Sequence, residues 1–147
     1  MNWQKDKFTI STSREKIDVD YVTAFLSRSY WAEEIPKEIV QKSIDGSLSF
    51  GVYEGDKQIG FARVITDEAT FGYLADVFID ERYRGQGLSK WLMEVIMGHA
   101  SLQNIRRFML GTRDAHGLYS QFGFKELGAP ARWMELAVQD IYKKMKR

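Results

Sequence analysis

The stretch that decides the fold runs Arg82-Tyr83-Arg84-Gly85-Gln86-Gly87-Leu88-Ser89. Before it, the segment from Phe71 to Ile79 is apolar on both faces except at Asp76, which is typical of a central strand buried on both sides. After it, apolar side chains recur at helical spacing, at Leu88, Trp91, Leu92, Val95 and Ile96. The stretch is therefore predicted to be a loop that joins a buried strand to an amphipathic helix.

This loop has the composition of an anion site. Gly85 and Gly87 let the backbone approach a ligand closely, and the free N–H groups at the start of a helix favour a negative charge. Arg82, Arg84 and Lys90 add positive charge. These features indicate a phosphorylated ligand. A glycine turn before a helix, flanked by solvated arginines, is the alternative that the loop leaves open.

Two other phosphate motifs are excluded by the residues that follow the glycines. A P-loop requires Gly-Lys-Ser/Thr, whereas Gly87 is followed by Leu88 and Ser89. The dinucleotide fingerprint requires a third glycine, and Lys90 occupies that position. The Gly-x-Ser-x-Gly elbow of many hydrolases does not occur in the chain.

The sequence before the central strand predicts two helices and an antiparallel meander. Phe8–Ser11 is short and partly alternating, as in a strand, and helices are predicted to begin near Asp18 and Pro36. Residues 48–53 and 59–65 then alternate with a period of two around a turn, which indicates a hairpin.

The sequence after the loop helix predicts a crossover to a further strand. Residues 105–110 form that strand, parallel to the central one because a helix separates the two. A short helix capped by Asp114 and closing strands at 126–127 and 132–138 follow. The predicted fold class is α/β (α+β), a mixed β-sheet flanked by helices in one domain, 1–147. A doubly wound parallel fold is excluded because three strands precede the crossover helix.

Composition limits the classes of function. The 147 residues carry 21 Lys and Arg against 20 Asp and Glu, a net charge of +1, so we expect no nucleic-acid or membrane partner. The four basic residues Lys143, Lys144, Lys146 and Arg147 at the C-terminus are the only basis for a nucleic-acid adaptor. With no cysteine and two histidines, we expect no metal. No apolar run reaches the roughly 18 residues of a membrane helix, and we expect a cytoplasmic protein.

Two segments together carry a resemblance to a known family. Arg84-x-x-Gly87-x-Ser89 is similar to the cofactor motif Gln/Arg-x-x-Gly-x-Gly/Ala of the GCN5-related N-acetyltransferases (GNATs), with Ser89 in place of Gly or Ala. The segment from Leu118 to Phe124 resembles the late Tyr and Gly-Phe segment of that family. A shifted match beginning at Arg82 exists, but the Arg84 register places Gly87 at the helix start.

The resemblance implies a centrally splayed sheet and acetyl-CoA as the co-substrate. Backbone amides in the loop would hold its pyrophosphate, at Arg84, Gly85, Gln86, Gly87, Leu88 and Ser89. The backbone of Val77, Phe78 and Ile79 would pair with the pantetheine arm. The reaction would be direct acetyl transfer to a primary amine of a small molecule or peptide, with Tyr119 as the acid. The family commonly dimerises through late strands, so a homodimer is also an expectation.

The sequence offers several candidates for the general base and for the residues that bind the acceptor amine. Asp76 is the only charged residue inside the central strand, so three roles stay open for it: a base, an anchor for a cationic amine, or a structural acceptor for a buried backbone group or Arg63. Glu33, Glu34 and Glu68 are weaker candidates for the base. Tyr30 and Trp31 would either bind the amine through cation–π contact or cover the sheet. An acyl-CoA-binding module without turnover is the alternative function.

Overall fold

A computed structural model describes residues 1–145, so the last two members of the basic tail, Lys146 and Arg147, lie outside the described residues. One sheet contains six strands in the order of the chain. They are β1 (Asn2–Lys5), β2 (Phe8–Ser11), β3 (Leu48–Glu54), β4 (Lys57–Thr66), β5 (Phe71–Ile79) and β6 (Arg107–Leu110). Neighbours from β1 to β5 are antiparallel, and β6 is parallel to β5, which confirms the predicted mixed sheet.

Helices cover both faces of this sheet. They are α1 (Val19–Leu26), α2 (Lys37–Asp45), α3 (Leu88–Gly98), α4 (His116–Ser120) and α5 (Ile141–Met145). The buried side chains of α1 and α2 form one apolar cluster with Phe61 and Phe78. Those of α3 form a second cluster with β2, β3 and β4. Within residues 1–145, no helix has both the length and the apolar character that a membrane span requires.

Local sequence signals set the ends of the first two helices. The Asp18 carboxylate accepts a hydrogen bond from the Tyr21 N–H at 3.0 Å, as predicted for a helix cap. Pro36 precedes α2 by one residue and caps it, so the predicted start is one residue early. Asp114 does not cap α4. The helix begins at His116 without a side-chain cap.

The predicted closing strands are wrong. Within residues 1–145, neither 126–127 nor 132–138 forms a strand, and no strand pairs with the outer edge of β6. Alternating apolar residues indicate a strand only where a neighbour supplies hydrogen bonds, and here Met134 and Leu136 are more than 90% exposed. Sequence analysis also missed β1, which pairs with β2 from Asn2 to Lys5.

A β-bulge interrupts β5 at Asp76. Phe61 of β4 lies opposite Phe78, whereas Arg63 lies opposite Ala75, so two residues of β5 face one of β4. Asp76 has a φ of +54°, in the left-handed region, where Asp is better tolerated than most residues. The bulge lies in the middle of β5 and therefore changes the direction in which the Asp76 side chain points.

The sheet opens at the same level. β6 pairs only with Phe71 to Leu74, and no strand within residues 1–145 pairs with that edge of β5 from Ala75 to Ile79. Five residues of a central strand thus keep one edge free of a partner strand. This confirms the centrally splayed sheet that the family resemblance implies.

Candidate functional site

The opening between β5 and β6 is a cleft with a volume of about 640 Å³, here named the inner cavity. Its walls come from the two splayed strands, the loop that joins α1 to α2, and α4. The structure brings five residues singled out in the sequence to it: Tyr30, Trp31, Asp76, Val77 and Tyr119. They lie far apart in the chain, so the splay of the sheet is what assembles them.

Asp76 is held by two donors. The Arg63 Nε donates to its Oδ2 at 2.6 Å, and the Trp31 Nε1 donates to its Oδ1 at 2.8 Å. The ion pair is partly buried, with side-chain exposures of 16% for Arg63 and 8% for Asp76. Arg63 also donates to the Ser47 hydroxyl. Both carboxylate oxygens of Asp76 are therefore engaged by protein groups.

Tyr119 stands on α4 with only 9% of its surface exposed. Burial, and then the nearby Tyr30 and Asp114, raise the pKa of its hydroxyl above the ordinary value. Within the described residues its hydroxyl makes no hydrogen bond, and Tyr119 lines the inner cavity. The Tyr119 hydroxyl is therefore protonated at neutral pH, and its O–H group is available to donate a hydrogen bond to a ligand.

The loop before α3 has the geometry of an anion cradle. Gly85 and Gly87 have φ values of +81° and +78°, which other residues rarely adopt, and a Cβ at either would meet nothing within 4 Å. The first helical hydrogen bond runs from the Trp91 N–H to the Gly87 carbonyl. The N–H groups of residues 88–90 therefore have no acceptor in the helix, and no acidic residue occupies the first turn.

The free edge of β5 leads from this loop to the inner cavity. Val77 lines the cavity, whereas the Phe78 ring turns to the other face and stacks on Phe25 with centroids 3.8 Å apart. The Ile79 carbonyl accepts a hydrogen bond from the Arg84 Nε at 3.2 Å. Arg84 therefore ties the loop to the end of β5.

Other sequence candidates lie elsewhere or have other partners. Glu33 pairs with Lys143 at 3.3 Å, and Glu68 lies in the turn between β4 and β5. Sequence analysis missed Arg113 and Tyr142, which both line the inner cavity. The position of Arg113 just after β6 was the available signal, since ligands in α/β sheets bind beyond the carboxyl ends of strands. Among residues 1–145, no group of three or more His, Asp or Glu side chains could hold a metal ion.

Comparison with known proteins gives one consistent result. A model described as the acetyltransferase (GNAT) family matches residues 14–124. A Gibberella zeae protein provisionally named an acetyltransferase is 30% identical over 85% of this chain and 83% of its own. The uncharacterised N-acetyltransferase YhbS of Escherichia coli K12 is 31% identical over 74% of this chain and 69% of its own.

Solved structures share the same fold. A Xanthomonas campestris protein provisionally assigned to the GNAT family superimposes with a TM-score of 0.90, with 45% identity over 92% of this chain and 96% of that one. A Clostridium acetobutylicum protein solved with acetyl-CoA gives a TM-score of 0.64 at 15% identity, over 88% of this chain and 94% of that one. The second likeness shows the fold alone.

The Asp76 network generates a prediction on stability. Asp76→Asn keeps the shape and tolerates the positive φ, but it leaves the Arg63 charge buried without a counter-charge. We expect the free energy of unfolding to fall by roughly 3 kcal/mol, the lower end of the cost of removing one partner of a buried pair. Urea denaturation followed by circular dichroism measures the change.

The matched control is Asp20→Asn, which removes an acid from the exposed ion pair with Lys37. Exposed pairs contribute little to stability, so its denaturation midpoint should stay near that of the parent protein. Equal midpoints for the two variants would show that the Arg63–Asp76 pair does not hold the bulge.

Proposed function

The chain belongs to the GNAT acetyltransferase family, and from this premise we propose that it transfers an acetyl group from acetyl-CoA to a primary amine by direct attack. The observation that supports the proposal most is a continuous path. It starts at the N–H groups of the loop before α3, follows the free edge of β5, and ends at the Tyr119 hydroxyl in the inner cavity.

The residues of that path fit the co-substrate. The amides of residues 84–89 are placed to bind a pyrophosphate, because the glycine turns and the helix start present N–H groups without helical acceptors. The free edge from Val77 to Ile79 offers backbone groups to the amides of a pantetheine arm. A Clostridium protein of the same fold was solved with acetyl-CoA, which supports the choice of this co-substrate. The thioester, when bound, supplies the activated acetyl group.

Tyr119 is the proposed general acid. The raised pKa keeps the hydroxyl protonated at the mildly alkaline pH where an amine loses its proton, and its lack of a protein partner leaves the proton for the departing sulfur. A backbone N–H near Phe78 is the proposed donor to the oxyanion. Both groups act where charge develops during the transfer.

Asp76 has a positioning role in this proposal. Of the three roles that the sequence leaves open, the structural acceptor agrees best with a carboxylate whose two oxygens bind Arg63 and Trp31. Because both oxygens already accept hydrogen bonds from protein donors, neither is free to take the proton of the amine. The proton of the amine would leave through the solvent of the open cleft.

Because both carboxylate oxygens of Asp76 are engaged by protein groups, a second function stays in view, an acyl-CoA-binding module without turnover. Thermal-shift titrations with acetyl-CoA, CoA and ATP test the part that both functions share. At a ligand concentration about 100 times the dissociation constant, we expect a shift of ~5–10 °C with acetyl-CoA and CoA. A small response to ATP is the matched control, and no shift with either CoA species would contradict both functions.

Catalysis is tested by Tyr119→Phe in an assay of CoA release with a panel of amines. We expect kcat to fall on the order of 10²-fold, since general acid help is worth at least that much, while the affinity for acetyl-CoA is retained. Tyr53→Phe is the matched control, because Tyr53 is equally buried and has a raised pKa but lines no part of the cleft. Unchanged kcat in Tyr119→Phe would end the assignment.

We propose further that the protein forms a homodimer through the segment from Trp133 to Val138. The segment alternates exposed apolar side chains, with Met134 97% and Leu136 93% exposed. Trp133 at its start lies over Arg107 of β6, whose outer edge has no partner strand within residues 1–145. Each copy thus carries both an exposed apolar segment that pairs with no strand and an open edge, which suits reciprocal strand addition on dimerisation.

The molar mass in solution tests the dimer. Light scattering on a sizing column should give twice the mass of one chain, and Leu136→Glu should return it to one chain, because a buried carboxylate has no partner in a strand pair. Glu135→Gln, on the other side of the alternation, serves as the control and should keep the dimer. A parent protein with the mass of one chain would contradict the proposal.

A further inference from the structure

A second hollow adjoins the inner cavity. This outer cavity has a volume of about 670 Å³ and lies between the end of α1 and the turn that follows β5. Tyr30, Trp31 and Arg113 line both cavities, so they form the wall between them. The Arg113 guanidinium lies 3.9 Å from the centre of the Tyr30 ring, and the Arg113 N–H donates to the Tyr30 hydroxyl.

The outer cavity holds two arginines without acidic partners. Of its three arginines, Arg82 is paired with Asp80 at 3.2 Å. Within residues 1–145, neither Arg28 nor Arg113 forms an ion pair. Glu81 is the one acidic group of the cavity lining that is not engaged in this way. The two free guanidinium groups therefore outnumber the remaining carboxylate.

Aromatic rings hold both guanidinium groups in place. Arg28 lies over Phe25 at 5.9 Å and donates its Nε to the Ala24 carbonyl, while Arg113 lies over Tyr30. A guanidinium that stacks on a ring keeps its N–H edge for hydrogen bonds, and the planar fork matches the two oxygens of a carboxylate or phosphate. The outer cavity has the features of an anion site that borders the start of the loop before α3 at Arg82 but is lined by none of residues 84–89.

The inner cavity differs in its charges. There Asp76 is neutralised by Arg63, and the acid without an ion-pair partner is Asp114. An amine that reached Tyr119 would thus lie near a carboxylate, while any second group of the same molecule beyond the Tyr30–Arg113 wall would meet arginine. The second amine of a polyamine would meet two arginines and one carboxylate without an ion pair in the outer cavity, which does not favour its binding.

We propose that the acceptor is an amine that also carries a carboxylate or phosphate, and that Arg28 and Arg113 bind this anionic group in the outer cavity. This inference rests on the proposed function, since it assigns the substrate class of the same cleft. Arg113 binds the anion through the N–H edge that its contact with the Tyr30 ring leaves free, while the amine end of the same molecule occupies the inner cavity. The two arginines are specificity-determining residues and take no part in the transfer itself.

The test compares amines that differ only in the anionic group, under saturating acetyl-CoA. The probes are β-alanine against 3-aminopropanamide and O-phosphoethanolamine against ethanolamine. We expect kcat/KM to favour the anionic member of a pair by about tenfold or more, the effect of charge-assisted hydrogen bonds. Equal values within both pairs, or a preference for the neutral members, would overturn the proposal.

Variants assign the preference to the arginines. Arg113→Gln and Arg28→Gln should remove it through a higher KM, with kcat nearly retained, as expected for uniform binding of substrate and transition state. Arg113→Lys keeps the charge without the fork and should retain part of the preference. The control Arg106→Gln removes an exposed arginine that lines neither cavity and should behave as the parent protein. An unchanged preference in both Gln variants would overturn the proposal.

The phosphates of the co-substrate are the competing source of an anion. Acetyl-CoA is therefore compared with acetyl-dephospho-CoA, which lacks the 3′-phosphate. If Arg113→Gln weakens the use of acetyl-CoA but not that of acetyl-dephospho-CoA, and leaves the amine preference unchanged, the arginines serve the co-substrate and the proposal fails.

A binding measurement separates failure of the inference from failure of the proposed function. Should no amine be acetylated, the proposed function fails, and thermal shift of the CoA-saturated protein then probes the anion site alone. A shift with O-phosphoethanolamine that exceeds the shift with ethanolamine, and that Arg113→Gln removes, supports the site. No difference between the two probes would overturn it.

Discussion

The ion pair between Arg63 and Asp76 is the interaction on which the site depends. Asp76 occupies a bulge with a positive φ inside a central strand, and a charge at such a depth requires a counter-charge. Arg63 supplies it from β4, and Trp31 adds a hydrogen bond from the loop between α1 and α2. One side chain thus joins the sheet to the segment that covers the cleft.

The opening of the sheet begins where this bulge begins. β5 pairs with β6 as far as Leu74, and the bulge starts within the next two residues. A bulge increases the local twist of a strand, which favours divergence from a neighbour. The free edge of β5 that results runs from the glycine loop to Tyr119. The bulge accounts for the backbone edge, whereas the anion cradle depends on the glycines before α3 and the hydroxyl on α4.

The cleft separates charges along its length. The loop before α3 presents N–H groups, the outer cavity presents two unpaired arginines, and the inner cavity contains a neutralised pair and a protonated tyrosine. Burial, and then the nearby Tyr30 and Asp114, raise the pKa of Tyr119, so Tyr30 affects this hydroxyl as well as forming part of the wall. In the proposed function, the loop and the outer cavity bind anionic groups, and the inner cavity receives the acyl group and the amine.

The sequence by itself determined the elements that depend on neighbours in the chain. The strand Phe71–Ile79, the glycine loop before α3 and the Asp18 cap follow from apolar pattern, φ preference and local hydrogen bonds. The expected burial of that strand on both sides is wrong at its start, where Phe71 and Tyr73 are exposed. Only the tertiary structure decided the partners of Asp76, the Tyr30–Arg113 wall and the absence of the closing strands. The physical reason is that a strand or a buried charge requires a partner far away in the sequence, and local pattern does not contain that partner.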